Sequence, residues 1–170
     1  MIYSEDTTVK LLACVGLRRL LSIEDNPPIQ AVIDANLVPI FIQLLHHQVP
    51  KFQFEAAWCL TNIASGSTDH VSNLIEKDVL THFIQLLESP HIEVVEQVIW
   101  GIGNIAGDSP NKKRAACSVL SWPSNWKYCS KLIFPGRNAR KATPMPENPV
   151  SPPPKIVSLS VSMPKPIKFE

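Results

Sequence analysis

An all-α solenoid of helical repeats is the fold class this sequence predicts, and three observations predict it. The string FIQLL occurs at Phe41–Leu45 and returns at Phe83–Leu87, 42 residues later. Trp58 and Trp100 keep the same offset, as do Asn62 and Asn104, so WCLTNIASG and WGIGNIAGD align without a gap. The residues between these anchors follow helical spacing: Ala57, Leu60, Ile63 and Ala64 in one copy, Val95, Ile99, Ile102 and Ile105 in the next. One offset shared by separate segments is hard to obtain by chance.

Each copy reads as three helices. A short helix is expected near 29–35 and again near 71–77. Pro27 and Pro28 suit its first turn, and Asp69 is the expected N-cap of the second copy. The middle helix falls near 39–46 and 80–87. The third and longest falls near 52–64 and from about 90 to 106, where Ser89-Pro90 reads as N-cap and first helical residue. Gly66 and Gly107 follow the third helices, where a left-handed C-cap is expected. A period near 40 with purely helical patterning indicates an armadillo or HEAT solenoid.

Upstream, residues 9–21 are apolar and helical without the Trp/Asn pair, which suits the last helix of a preceding repeat. Downstream, the positions one period beyond Trp100 and Asn104 are Ala142 and Pro146, so the repeats should end near 108–114. The expected organisation is a repeat domain over 1–114 (part of one repeat, then two complete ones) and an irregular or disordered basic tail over 115–170. The prolines at 144–154 favour extended chain in that tail.

Charge divides along the same boundary. Residues 1–108 hold 5 Lys/Arg and 13 Asp/Glu, whereas 109–170 hold 11 and 2, and the whole nets +1. An acidic folded segment suits basic partners and repels nucleic-acid backbones. Neither nucleic acid nor membrane is an expected partner: no apolar run approaches the roughly 20 residues that span a bilayer, and the N-terminus lacks a signal-peptide pattern. Cys14, Cys59, Cys117 and Cys129 form no CxxC pair. Cys14 and Cys59 sit within apolar helical patterns, as buried free thiols in a reducing compartment do. The five histidines show no ligand spacing, no nucleophile motif or phosphate loop is present, and Gly101-Ile102-Gly103 lies inside a helix pattern. No catalytic residue, metal or cofactor is expected, and the chain does not read as an enzyme.

The Trp/Asn pairs are the candidate site. At i and i+4 they share one helix face, and stacked repeats would set Trp58 and Trp100 as parallel rungs with Asn62 and Asn104 beside them. Indole faces attract Lys and Arg and pack against their methylene stems. Carboxamides can donate to and accept from an extended peptide backbone. Gln97, three residues before Trp100, adds an amide on the same face. Asp108, two turns beyond Trp100, puts a carboxylate near the negative helix end, where a lysine would meet both. A single Trp-x-x-x-Asn is more often packing than a site; two copies in one register, with a carboxylate and an acidic field, favour a binding ladder.

FQFEAAWCLTNIASG, EQVIWGIGNIAGD and LLSIEDNPPI resemble the second and third armadillo repeats of importin α, the nuclear import adaptor, and the junction preceding them. The similarity covers about residues 9–110. It implies an armadillo-repeat right-handed solenoid whose third helices bind the basic nuclear localisation signals of cargo proteins. It implies roles in signal binding for Trp58, Asn62, Ser65 and Gly66 in one repeat and for Gln97, Trp100, Asn104 and Asp108 in the next, with the aspartate receiving the key lysine. Ser67 and Val71 depart from the family, which usually has threonines at both positions. The family has about ten repeats, a second signal pocket and a basic N-terminal segment that binds importin β; none of these is seen in this chain, so a fragment, a truncated isoform and a diverged reading frame all fit. The resemblance implies a place in cytoplasm and nucleus. Without it, the repeats read as an armadillo scaffold for some other partner.

Two features lie past the repeats. Trp122, Trp126, Tyr128 and Phe134 interleave with Lys127 and Lys131, a weak nucleic-acid stacking signal without a platform. Lys112-Lys113-Arg114 looks like a small nuclear signal, though a solvated turn is the expected reading. The charge division also allows the basic tail to occupy the acidic groove in cis.

Overall fold

Asp6 opens the first helix: its Oδ1 accepts from Thr8 N (2.7 Å) and Val9 N (3.1 Å), satisfying two of the orphan amides that every helix start presents. From there the computed structural model, which describes residues 1–112 and Ala116, is helical, with seven helices up to Asp108 and helical residues again at 110–112 and Ala116. The seven are α1 (Thr7–Leu21), α2 (Ile29–Asp34), α3 (Val38–Leu45), α4 (Pro50–Ala64), α5 (Thr68–Glu76), α6 (Val79–Leu86) and α7 (Ile92–Asp108). α2–α4 and α5–α7 run in the same short, middle, long order one period apart, and α1 packs against α4 on the side away from α7. The expected tail lies outside the described residues, Ala116 apart.

The third helices form the spine. α4 packs most extensively against α7 on one side, then against α1 on the other and α3 beneath. The FIQLL strings supply matched core residues, with Phe41, Phe83 and Leu45 fully buried and Leu87 nearly so. Each buried phenylalanine contributes about 1.5–3 kcal/mol of hydrophobic stabilisation. The core is continuous across the repeats, as stacking requires.

Several expected boundaries move, for local reasons. Ser67 caps α5, not Asp69: Ser67 Oγ accepts from His70 N (3.3 Å), and Ser67 N donates to His70 Nδ1 (3.1 Å). The histidine stands where a capping box usually has Glu or Gln, and its Nε2 lies 3.2 Å from Gln30 Oε1, tying α5 to α2 of the previous repeat. Asp69 sits in the first turn, where a carboxylate suits the helix dipole. Ser89-Pro90 stands outside α7, which starts at Ile92 after His91, whose N donates to Ser89 Oγ at 3.3 Å. The glycine caps do not form either: among the described residues no glycine has positive φ, and Gly107 lies inside α7. The left-handed positions are Asn26 (φ 52°), ahead of α2, and Asn36 (φ 54°) and Asp78 (φ 56°), one period apart, where each short helix turns into its middle helix. Asn and Asp tolerate that conformation better than most side chains. Gly66 serves close packing instead: a Cβ there would run into the His70 ring and come within 2.9 Å of Ile29 Cδ1.

Candidate functional site

The two Trp/Asn pairs lie on α4 and α7, and hydrogen bonds fix the helices that carry them. Thr61 Oγ1 of α4 donates to Gln97 O of α7 (3.2 Å), and Asn104 Nδ2 of α7 donates to Thr61 O (3.1 Å). One period earlier, Asn62 Nδ2 donates to Ser22 Oγ (2.9 Å), which in turn donates to Arg18 O (2.8 Å). Each Asn therefore ties its helix to the preceding third helix through its amide nitrogen. Gly101 permits the close approach: a Cβ there would strike the Phe83 ring and lie 2.8 Å from Thr61 Oγ1.

The two indoles have different surroundings. Trp100 is 37% exposed, and no cation lies over its ring among the described residues. Trp58 is only 3% exposed. Phe54 meets it edge-on with ring centroids 5.4 Å apart, and the Arg18 guanidinium lies 4.4 Å from its centroid. Arg18 Nε also pairs with Glu55 Oε2 at 2.6 Å, and Lys51 Nζ lies 3.0 Å from Glu55 Oε1. The side chains of Arg18 and Glu55 are 8% and 2% exposed, so this is a buried ion pair, costly to break from one side. Trp58 Nε1 and Arg18 Nη1 are buried without a partner.

The other expected site residues are placed as follows. Ser65 is the exposed C-cap residue of α4, its Oγ donating to Asn62 O at 2.7 Å. Gly66 follows, half-buried against His70 and Ile29. Gln97 is buried, with its Nε2 unpartnered. Asp108 ends α7; Thr68 Oγ1 donates to its Oδ1 at 3.1 Å, and Lys112 Nζ lies 2.9 Å from its Oδ2. That ammonium also donates to Thr68 O at 2.7 Å, so Lys112 is not in the solvated turn the sequence suggests.

Sequence reasoning missed three residues here: Arg18, Thr68 and Lys112. Arg18 belongs to the helix that lacks the repeat's signature, so no periodicity marks it. Thr68 acts partly through its carbonyl, which has no side-chain signal. Lys112 follows Asp108 by four residues, and that spacing was the available clue.

The Armadillo/beta-catenin-like repeat family matches residues 25–65, and the HEAT-like repeat family matches residues 50–105. Importin subunit alpha-1b of Oryza sativa subsp. japonica is 48% identical over 110 residues, 64% of this chain and 21% of that protein. Importin subunit alpha-2 of Arabidopsis thaliana gives the same identity and the same coverage of both chains. Over these residues the repeat segment is similar to importin α subunits. The chain spans about a fifth of the length of these curated relatives. Solved armadillo structures share the fold: a designed armadillo repeat protein in complex with the peptide (KR)4 superposes with TM-score 0.66 at 24% identity, over 78% of this chain and 59% of that one. Among the described residues no helix is long and apolar enough to cross a membrane, and no group of three or more His, Cys, Asp or Glu could hold a metal.

Proposed function

We propose that this chain binds the basic nuclear localisation signals of cargo proteins along α4 and α7, as an importin α adaptor segment. The observation that carries the reading is the exposed Trp100 face, one helical turn from Asn104 and two from Asp108, on an importin-α-type repeat pair. A lysine or arginine of the signal stacks on the indole. The peptide backbone meets the carboxamides, and a second lysine reaches Asp108. One repeat earlier Ser65 and Gly66 border the same run, whereas Trp58, Asn62 and Gln97 lie buried beneath it, and Arg18 must move before the Trp58 face can take a cation. The 13 Asp/Glu against 5 Lys/Arg of residues 1–108 supply a long-range field for such a ligand. The function is binding rather than catalysis, exercised in cytoplasm and nucleus; importin β is a partner of the full-length family, through a basic segment not seen in this chain.

The test is fluorescence anisotropy of a labelled Lys-Lys-Lys-Arg-Lys peptide against the chain and its Trp100→Ala variant. Saturable binding that weakens with salt and falls at least about tenfold in the variant is expected, in line with the loss of a stacked cation and its desolvated neighbours. Equal binding by the variant would instead mark an armadillo scaffold whose partner ignores the ladder.

A further inference from the structure

Asp108 and Lys112 have the spacing of an ordinary i,i+4 helix pair, but not its geometry. α7 ends at Asp108, and Ser109 is extended (φ −156°, ψ 159°), so the two residues are not on one continuous helix. Lys112 N donates to Ser109 Oγ (3.3 Å), and residues 110–112 are helical again, so Ser109 opens a new helical turn that carries Lys112. The ammonium then pairs with Asp108 Oδ2 at 2.9 Å and donates to the carbonyl of Thr68, 44 residues away in α5, at 2.7 Å. Thr68 Oγ1 holds the other carboxylate oxygen at 3.1 Å. The Lys112 and Asp108 side chains are 13% and 10% exposed. Surface lysines usually keep their ammonium in water, and fixing one costs side-chain entropy. A lysine this enclosed, hydrogen-bonded to a carbonyl and ion-paired with a carboxylate, occupies a built seat.

We propose that Lys112 is a resident occupant of the lysine seat at Asp108 and Thr68, and that it sets what the groove will accept: a ligand lysine enters only by displacing it. The inference rests on the groove reading above, because the seat matters to a ligand only if a ligand lies on α7. A tether of four residues gives Lys112 a local concentration of millimolar order or higher. A competing peptide must therefore draw on contacts elsewhere, at Trp100 above all, so that a lone lysine is excluded while a basic run is admitted. This differs from occupancy by the distant tail, since the occupant is four residues from the carboxylate it fills.

The experiment compares anisotropy of the labelled Lys-Lys-Lys-Arg-Lys peptide on the full chain, Lys112→Ala and Lys113→Ala, each checked for helicity by circular dichroism. Lys112→Ala should bind several-fold to about tenfold more tightly than the parent, and Lys113→Ala, which removes the same charge next door, should change little. Acetylation of Lys112 by acetic anhydride, followed by mass spectrometry, should be slow in the free chain and rise when saturating peptide displaces the side chain. Equal gains in both variants would reduce the effect to net charge and overturn the proposal. Binding by the parent that Lys112→Ala leaves unchanged would also overturn it, with the groove reading intact. No binding by parent or variant would remove the groove reading itself, and this inference with it.

Discussion

The α4 and α7 rungs share a motif and a register, yet one is shut and the other open. Trp58 is enclosed by Phe54 and by Arg18, reaching across from α1. Trp100 has no cation over it among the described residues and keeps more than a third of its surface in water. The motif fixes where an indole sits on its helix; the preceding helix decides whether its face is free. For the α4 rung that neighbour is α1, which lacks the Trp/Asn pair and presents an arginine held by Glu55. For the α7 rung it is α4, whose Thr61 contributes hydrogen bonds and no charge. The same substitution in the two rungs should therefore have unequal effects.

The largest contrast is in stability. Trp58→Ala removes a buried aromatic and strips the Arg18 guanidinium of its stacking partner, at a cost of about 3–5 kcal/mol. Trp100→Ala removes a partly solvated ring and should cost about 1 kcal/mol or less. Urea unfolding followed by circular dichroism measures both. Similar losses would mean that Arg18 does not close the first rung. This is also why Trp100→Ala, rather than a double variant, is the clean test of peptide binding: its effect on affinity is not mixed with unfolding.

Gly101→Ala probes how closely the rungs are set. One period earlier the position is Cys59, whose Sγ lies 4.0 Å from Cys14 O, so the α1–α4 gap accommodates a side chain. The site on α7 does not: a Cβ at Gly101 comes within 2.8 Å of Thr61 Oγ1 on α4 and meets the fully buried ring of Phe83 on α6. Overpacking there should cost about 1–3 kcal/mol, seen as a lower Tm, and should weaken peptide binding by shifting Trp100 even at temperatures where the chain is folded. A neutral Gly101→Ala would show that the two gaps are alike after all.

How much of this was legible follows from where the signals reside. The repeat, its three helices and the positions of both Trp/Asn pairs were readable because a fixed offset repeats in the sequence itself. The caps were less so. Ser67 and Asp69 both suit an N-cap, and the choice turned on His70, whose ring both completes the capping box and reaches Gln30 in the neighbouring repeat. The glycines after the third helices read as left-handed caps, whereas packing is their use at Gly66 and the left-handed turns went to Asn26, Asn36 and Asp78. Contacts between non-equivalent residues, such as Arg18 with Trp58 or Lys112 with Thr68, carry no periodic mark at all. They arise when the solenoid stacks, and only the three-dimensional arrangement brings them together.

The smallest expected effect lies away from both rungs, between the middle helices. His46 Nε2 and His82 Nδ1 are 2.8 Å apart, where α3 of one repeat meets α6 of the next. Burial lowers the His82 pKa below its ordinary value, the His46 charge lowers it further, and Asp78 opposes both. With the folded pKa depressed, the unfolded chain binds the proton first, so stability rises with pH up to about 6.5, the unfolded value. Acidification below that point should lower Tm through this histidine, whereas above it the contribution is constant. His82→Gln should flatten that part of the pH profile, measured by thermal melts between about pH 7.5 and 5.5, a range chosen to bracket the ordinary histidine pKa. Because the pair bridges repeats through their middle helices, its loss should leave the Trp100 rung and its peptide affinity at neutral pH unchanged. A matching fall in affinity would show instead that the middle-helix contact sets the spacing of the third helices, and that the two rungs are not positioned by α1, α4 and α7 alone.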